Sequence, residues 1–149
     1  MSTIGVFKTL EQAAAGYTTS LDSVLNAIPW NADGLIPAIA QQYDSRDVLM
    51  MAWMNIDTLR ETLSTKRVCY WSRSRQRAWR KGETSGQIQM LKQAMLDCDG
   101  DTLLLLVDQV GPACHSGRRT CFLTTLDVEQ ATVNSDPLIS PETLYGKDH

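Results

Sequence analysis

Gln87-Ile88-Gln89-Met90-Leu91-Lys92-Gln93-Ala94-Met95-Leu96, then Asp97-Cys98-Asp99-Gly100-Asp101, then Thr102-Leu103-Leu104-Leu105-Leu106-Val107-Asp108-Gln109-Val110, is the stretch that decides the architecture. Ile88, Met90, Ala94 and Leu96 alternate with Gln87, Gln89 and Gln93, the period-two pattern of a strand. The apolar run from Leu103 to Val107 makes a second strand, reached through a tight turn at Gly100. The turn carries three carboxylates and a thiol, and Cys114, His115 and Cys121 follow the second strand.

Working outward, Leu35–Gln41 and Val48–Met54 read as two further strands joined by the polar connection Asp44-Ser45-Arg46-Asp47. Asn55 caps a helix running to about Thr65, with Ile56, Leu59 and Leu63 on its apolar face. Residues 68–75 are expected as a strand, Trp79–Gly86 as a loop, and 120–128 as a last strand. Before Pro29, Leu10, Ala13, Ala14, Tyr17, Leu21, Val24, Leu25 and Ile28 recur at helical spacing over 9–28. Gly16 and the Thr18-Thr19-Ser20 cluster are where that helix would split. Residues 1–29 are thus a helical N-terminal extension, and 129–149, polar with two prolines, an irregular tail. The expectation is one α+β domain over 1–149: a small, mainly antiparallel β-sheet with few helices.

The chain has 149 residues, enough for one domain that buries roughly 70% of its unfolded surface. A net charge of −3 argues against a nucleic-acid-binding protein, which would carry a basic excess. The N-terminal residues lack the pattern of a signal peptide, and no run approaches the roughly 18 apolar residues of a membrane span. A cytoplasmic location and no membrane partner are expected. Four cysteines in a reducing compartment are then metal ligands, reactive thiols or core filler rather than disulfides.

In an extended segment Asp97, Asp99 and Asp101 share a face and Cys98 takes the other. Three like charges side by side invite a hard cation, and oxygen ligands suit magnesium or calcium. An EF-hand is excluded, because Thr102 stands where its glycine belongs. Spacing alone leaves a cation site and a solvated acidic turn equally open.

Cys98, Cys114 and Cys121 offer three soft donors, the protein-ligand count of catalytic zinc, with buried free thiols as the alternative. Such a zinc brings the pKa of its bound water towards about 7. His115, beside a ligand, is placed to take or relay a proton. Cys69, within an aromatic strand, is expected to be a buried structural thiol.

The basic segment Ser72-Arg73-Ser74-Arg75-Gln76-Arg77, followed by Lys81-Gly82-Glu83-Thr84-Ser85-Gly86, has the chemistry of a phosphate site. Arginine forks bind phosphate bidentately, and glycines admit backbone N–H groups to its oxygens. Trp71 and Trp79 could stack on a base, although a basic run is more often a solvated edge.

Tyr70-Trp71-Ser72-Arg73-Ser74-Arg75, Trp79 to Gly86, Asp97 to Asp101 and Cys114-His115-Ser116-Gly117-Arg118-Arg119-Thr120-Cys121-Phe122, in that order, resemble the signature blocks of the phosphoribosyl-AMP cyclohydrolases. The resemblance spans about residues 30–125. It implies zinc- and magnesium-dependent hydrolysis of the adenine N1–C6 bond of phosphoribosyl-AMP in histidine biosynthesis. It implies an intertwined homodimer, with each zinc held by Cys98 of one subunit and Cys114 and Cys121 of the other. Asp97, Asp99 and Asp101 would hold magnesium. Trp71, Ser72, Arg73, Ser74, Arg75, Lys81, Gly82, Glu83, Thr84 and Ser85 would bind the phosphorylated nucleotide, and His115 would act in catalysis.

Two other readings compete. A zinc-dependent base deaminase needs a His-x-Glu, which follows neither His115 nor His149. A structural zinc module needs a fourth ligand, for which Cys69 is the candidate.

Overall fold

The computed structural model describes residues 3–145, the side chains of residues 3 and 4 excepted. The hairpin that the sequence centres on forms as expected. β5 (Gln89–Leu96) and β6 (Leu103–Gln109) run antiparallel, with Leu96 opposite Leu103 and Gln89 opposite Gln109. β1 (Ile36–Gln42) and β2 (Val48–Met54) form a second antiparallel hairpin. β6 then lies parallel to β1, with Ala38 opposite Leu103, which joins the hairpins into one sheet.

β3 (Cys69–Ser72) and β4 (Arg77–Arg80) complete the order β4-β3-β2-β1-β6-β5, in which β1–β6 is the one parallel pair. The sheet curls. Val68 N–H donates to Gln89 O at 3.0 Å and Leu91 N–H to Lys66 O at 2.6 Å, so β5 meets the residues that lead into β3. Ala38, Ala40, Leu49, Met54, Val68, Tyr70, Leu105 and Val107 are buried in the core of this curled sheet. Burying such side chains stabilises by about 1.5–3 kcal/mol for each large aliphatic one.

α3 (Ile56–Thr65) starts where its cap predicts. Asn55 Oδ1 accepts the Thr58 N–H at 2.8 Å and Thr58 Oγ1 accepts the Asn55 N–H at 3.0 Å, satisfying two orphan donors reciprocally. Its buried Thr62 accepts the Cys69 N–H at 2.9 Å, tying the helix to β3.

Four expectations need correction, while the split of the 9–28 helix is met: α1 spans Thr3–Gln12 and α2 Leu21–Ala27. Gly16 takes φ +95° between them, and Ser20 caps α2 by accepting the Ser23 N–H at 3.1 Å. The 68–75 strand stops at Ser72, because the chain turns with Arg75 N–H on Ser72 Oγ and Gln76 at φ +53°. The return strand β4 takes Trp79 and Arg80 out of the expected loop. Of residues 120–128 only β7 (Thr124–Leu126) is a strand. Its partner is β8 (Ala131–Val133), inside the tail expected to be irregular, which also carries the short helix α4 (Pro141–Tyr145). Residues 146–149 lie outside the described residues.

Candidate functional site

The hairpin register separates the predicted site residues. Cys98 and the acidic turn follow the Leu96 end of β5, whereas Cys114 and Cys121 follow the Gln109 end of β6. β5 alone spans seven residue steps at roughly 3.3 Å, or about 23 Å. Within one chain Cys98 therefore stands at one end of the sheet and the other two thiols at the opposite end. Among the described residues, no three Cys, His, Asp or Glu side chains form a group able to hold a metal.

At the first end the strand geometry does not survive past Leu96. Asp97 to Gly100 is a closed turn: Gly100, at φ +71°, donates its N–H to Asp97 O at 3.1 Å, and Asp97 N–H donates to Thr102 O at 3.0 Å. The expected alternation of Asp and Cys faces is thus replaced by a turn, in which exposed Cys98 and Asp99 line the same surface pocket. The turn nonetheless brings Asp97 and Asp101 together. Partial burial pushes the Asp97 carboxyl up, but hydrogen bonds from Asp101 and the backbone outweigh it and hold its pKa below the usual value. One of them is the Asp101 N–H, 3.0 Å from Asp97 Oδ1. Asp101 is pushed the other way, chiefly by sharing a hydrogen bond with Asp97, then by slight burial and the charges of Asp97 and Asp99. Two carboxyl groups close enough to shift each other's ionisation form a place suited to a divalent cation.

At the second end a loop from Val110 to Cys121 folds over the mouth of the curled sheet. Val110 N–H donates to Ile88 O, Cys121 N–H to Leu49 O at 2.7 Å, and Thr120 Oγ1 to Val48 O at 2.8 Å. Cys114 is buried and Cys121 is exposed as a residue, yet the two thiols are close enough for each to shift the other's ionisation. Burial opposes the Cys114 thiolate, but Ser116 through its hydroxyl and N–H, Cys121 as donor and the Lys81 charge outweigh it, and its pKa is lowered. Ser116 Oγ lies 3.1 Å from Cys114 Sγ. Burial of the Cys121 sulfur and the neighbouring Cys114 push the Cys121 thiol up to about 12. Two neighbouring thiols, one of them with its thiolate favoured, are a donor pair suited to a soft cation.

Lys81 belongs to this end. It is buried, its Nζ donates to Ala113 O at 2.7 Å, and burial lowers its pKa against the opposing charges of Cys121 and Cys114. Read from sequence as a phosphate contact, it sits beneath the thiol loop as its tether and counter-charge. That location was not legible, because the burial comes from a loop thirty residues downstream folding over it. The Gly117 contact was missed as well. Gly117 is at φ +86°, and a Cβ there would run into the Ile139 carbonyl. Leu138 N–H donates to Gly117 O at 2.8 Å and Arg118 Nε to Ser135 O at 2.7 Å, so the tail packs on the thiol loop.

The basic segment forms the tip of the β3–β4 hairpin. Since β3 runs antiparallel to β2, with Trp71 opposite Trp53, the tip projects at the Leu49 end of β2, where Cys121 is held. Arg73, Ser74 and Arg75 are exposed there, and the Arg73 guanidinium lies 4.9 Å from the Trp53 ring centre. Trp71 and Ser72 are half-buried on the strand below. Trp79 packs on buried Tyr70, with centroids 5.1 Å apart. Gly82, at φ +85°, leaves no room for a Cβ against the Gln87 and Ile88 backbone, and Glu83 pairs with Arg77 at 3.6 Å. Thr84 and Ser85 continue that loop, with Ser85 Oγ accepting the Gln87 N–H at 3.2 Å. His115 is exposed beside Cys114.

Cys69 is fully buried as expected. It neighbours Tyr70 on β3 and so faces away from Cys121, towards Glu61, with its thiol pushed up to about 12 by burial and by that carboxylate. It is not placed to close a four-thiol site.

The family model described as phosphoribosyl-AMP cyclohydrolase matches residues 50–123. Three relatives carrying that name are similar over nearly their whole lengths. The protein of Alkalilimnicola ehrlichii is 63% identical over 140 residues, 94% of this chain and 99% of its own. Those of Chromohalobacter salexigens and Hydrogenovibrio crunogenus are 62% and 59% identical over 141 residues, each covering 95% of this chain and 97% and 96% of their own.

Proposed function

Because this chain belongs to the phosphoribosyl-AMP cyclohydrolase family of hydrolases, we propose that it opens the adenine ring of phosphoribosyl-AMP at the N1–C6 bond, in histidine biosynthesis, using zinc and magnesium. The observation that carries this reading is the division of the three thiols between opposite ends of one sheet. A two-fold dimer turns that division into two complete sites, each with Cys98 of one protomer and Cys114 and Cys121 of the other. The placing of Cys114 and Cys121 together on one loop above Lys81 supports the assignment of two of those ligands. No described helix is long and apolar enough to cross a membrane.

Bound zinc would supply a water acidic enough to be a nucleophile near neutral pH. The protein's own groups do the rest. Asp97, Asp99 and Asp101 would hold magnesium, a hard cation for which one or two carboxylates suffice, and the Asp97–Asp101 pair offers two. Ser72, Arg73, Ser74 and Arg75 at the hairpin tip, with the Gly82–Ser85 loop, bind the phosphates and orient the nucleotide. Trp71 lies beside them and packs on the substrate. Lys81 holds the thiol loop in place and balances its negative charge.

A ribosyl group on N1 makes the purine cationic and C6 electrophilic. Attack at C6 needs a proton removed from water and one delivered to the departing ring nitrogen. His115, exposed next to Cys114, serves that transfer. Replacing His115 with Gln should cut kcat about 100-fold with zinc content unchanged, the usual scale of a lost acid–base group. Unchanged turnover would remove His115 from the mechanism.

The test of the function is an ultraviolet assay of ring opening with phosphoribosyl-AMP. Turnover should disappear with a zinc chelator and return with added Zn2+. No turnover under any metal condition contradicts the proposal.

A further inference from the structure

We propose that the N-terminal helix α1 is a positioning element for the divalent cation, acting through Phe7 on the Asp97–Asp101 turn. The inference rests on the reading that these aspartates hold that cation. It gives the N-terminal extension, on which the family signature is silent, a part in the site.

Phe7 is one of the buried core residues, 9% exposed, and its ring lies directly against Gly100. A Cβ on Gly100 would collide with three carbons of that ring, so glycine is required by the contact as well as by its φ of +71°. Gly100 is the residue between the two groups that matter. Its own N–H closes the turn on Asp97 O at 3.1 Å, and the next N–H, of Asp101, bonds Asp97 Oδ1 at 3.0 Å. Leu10 and Glu11 extend the same contact, lining a pocket with Leu96, Asp97 and Cys98.

Two carboxylates drawn together repel once both are ionised. With no cation bound, the turn is held closed by backbone hydrogen bonds exposed to water and by the ring behind Gly100. A cation that meets a closed turn pays no ordering cost, whereas one that must close an open turn binds more weakly by the closed fraction. Removing the ring leaves an empty space beside Gly100, and the turn opens into it.

The experiment uses the full-length, zinc-loaded protein and Mn2+ as probe, with free Mn2+ followed by electron paramagnetic resonance. Phe7→Ala should raise the Mn2+ concentration for half-saturation roughly tenfold, and Phe7→Leu by less, with zinc content unchanged and kcat at saturating Mg2+ within about twofold. Val6→Ala, which trims the same helix on its other side towards Tyr17, should leave the Mn2+ curve where it is. Equal half-saturation in Phe7→Ala and the unaltered protein overturns the inference. Should Phe7→Ala not fold, an unshifted curve for Phe7→Leu does the same. If the unaltered protein turns over with zinc but takes up no Mn2+, the inference falls together with the aspartate assignment, while ring opening stands.

Discussion

Cys114→Ser should lower kcat/KM for ring opening by about a thousandfold or more, with zinc lost in proportion, since changes merely behind a metal ligand already cost about 10–100-fold. Cys114 is the better of the two neighbouring thiols to begin with. Its thiolate is favoured by Ser116, Cys121 and Lys81 despite burial, whereas the Cys121 thiol is pushed up to about 12. A serine hydroxyl in the same place stays protonated and offers zinc a poor ligand. The fold should persist. The new hydroxyl keeps Ser116 and Cys121 as partners, so the stability change is about 1 kcal/mol, the centre of the usual range for point substitutions. Zinc content, steady-state kinetics and thermal unfolding of the same sample decide the matter. Full zinc content with kcat/KM within tenfold would show that Cys114 is no ligand.

Much of the fold was legible because its strongest signals are local. The period-two run into Leu96 and the apolar run from Leu103 needed only the turn at Gly100 between them to make β5 and β6. Asn55 announced α3 through a cap that operates within four residues. The split between α1 and α2 lies where Gly16 and Ser20 placed it. What was not legible depends on contacts distant in sequence. β4 is the four-residue edge strand Arg77–Arg80, with no hydrophobic alternation, and exists because β3 turns back on itself. The parallel pairing of β1 with β6 joins residues 65 apart, Ala38 with Leu103, and nothing local selects it. The tail reads as polar and irregular because its order comes from β7 and from Gly117, outside it.

The candidate site divides in the same way. The sequence offers the residue types, thiols as soft donors and carboxylates as hard ones. Their arrangement was not legible in it. The alternation of Asp97, Cys98 and Asp99 assumed extended backbone, and a closed turn took its place once Gly100 adopted a positive φ against Phe7. Lys81, grouped with the phosphate contacts by its sequence neighbours, is grouped with the thiols by the fold. The separation of Cys98 from Cys114 follows directly from β5 and β6 being one hairpin, a consequence already present in the sequence once both strands are recognised.

That separation is the central claim, and it predicts rescue between two dead proteins. Cys98→Ser and Cys114→Ser should each be inactive alone as homodimers. Mixed, unfolded and refolded together, half of the dimers would carry one chain of each kind. If Cys98 comes from one protomer and Cys114 and Cys121 from its partner, one site of such a dimer holds both lesions and the other holds none. The mixture should therefore recover half of one half, about a quarter of the unaltered activity, for a two-fold dimer. It should bind zinc in the same proportion. The measurement is ring-opening activity of the refolded mixture against the two variants refolded separately. Recovery near a quarter is the predicted result, and a mixture as inactive as its components would contradict a metal site shared between two copies of this chain.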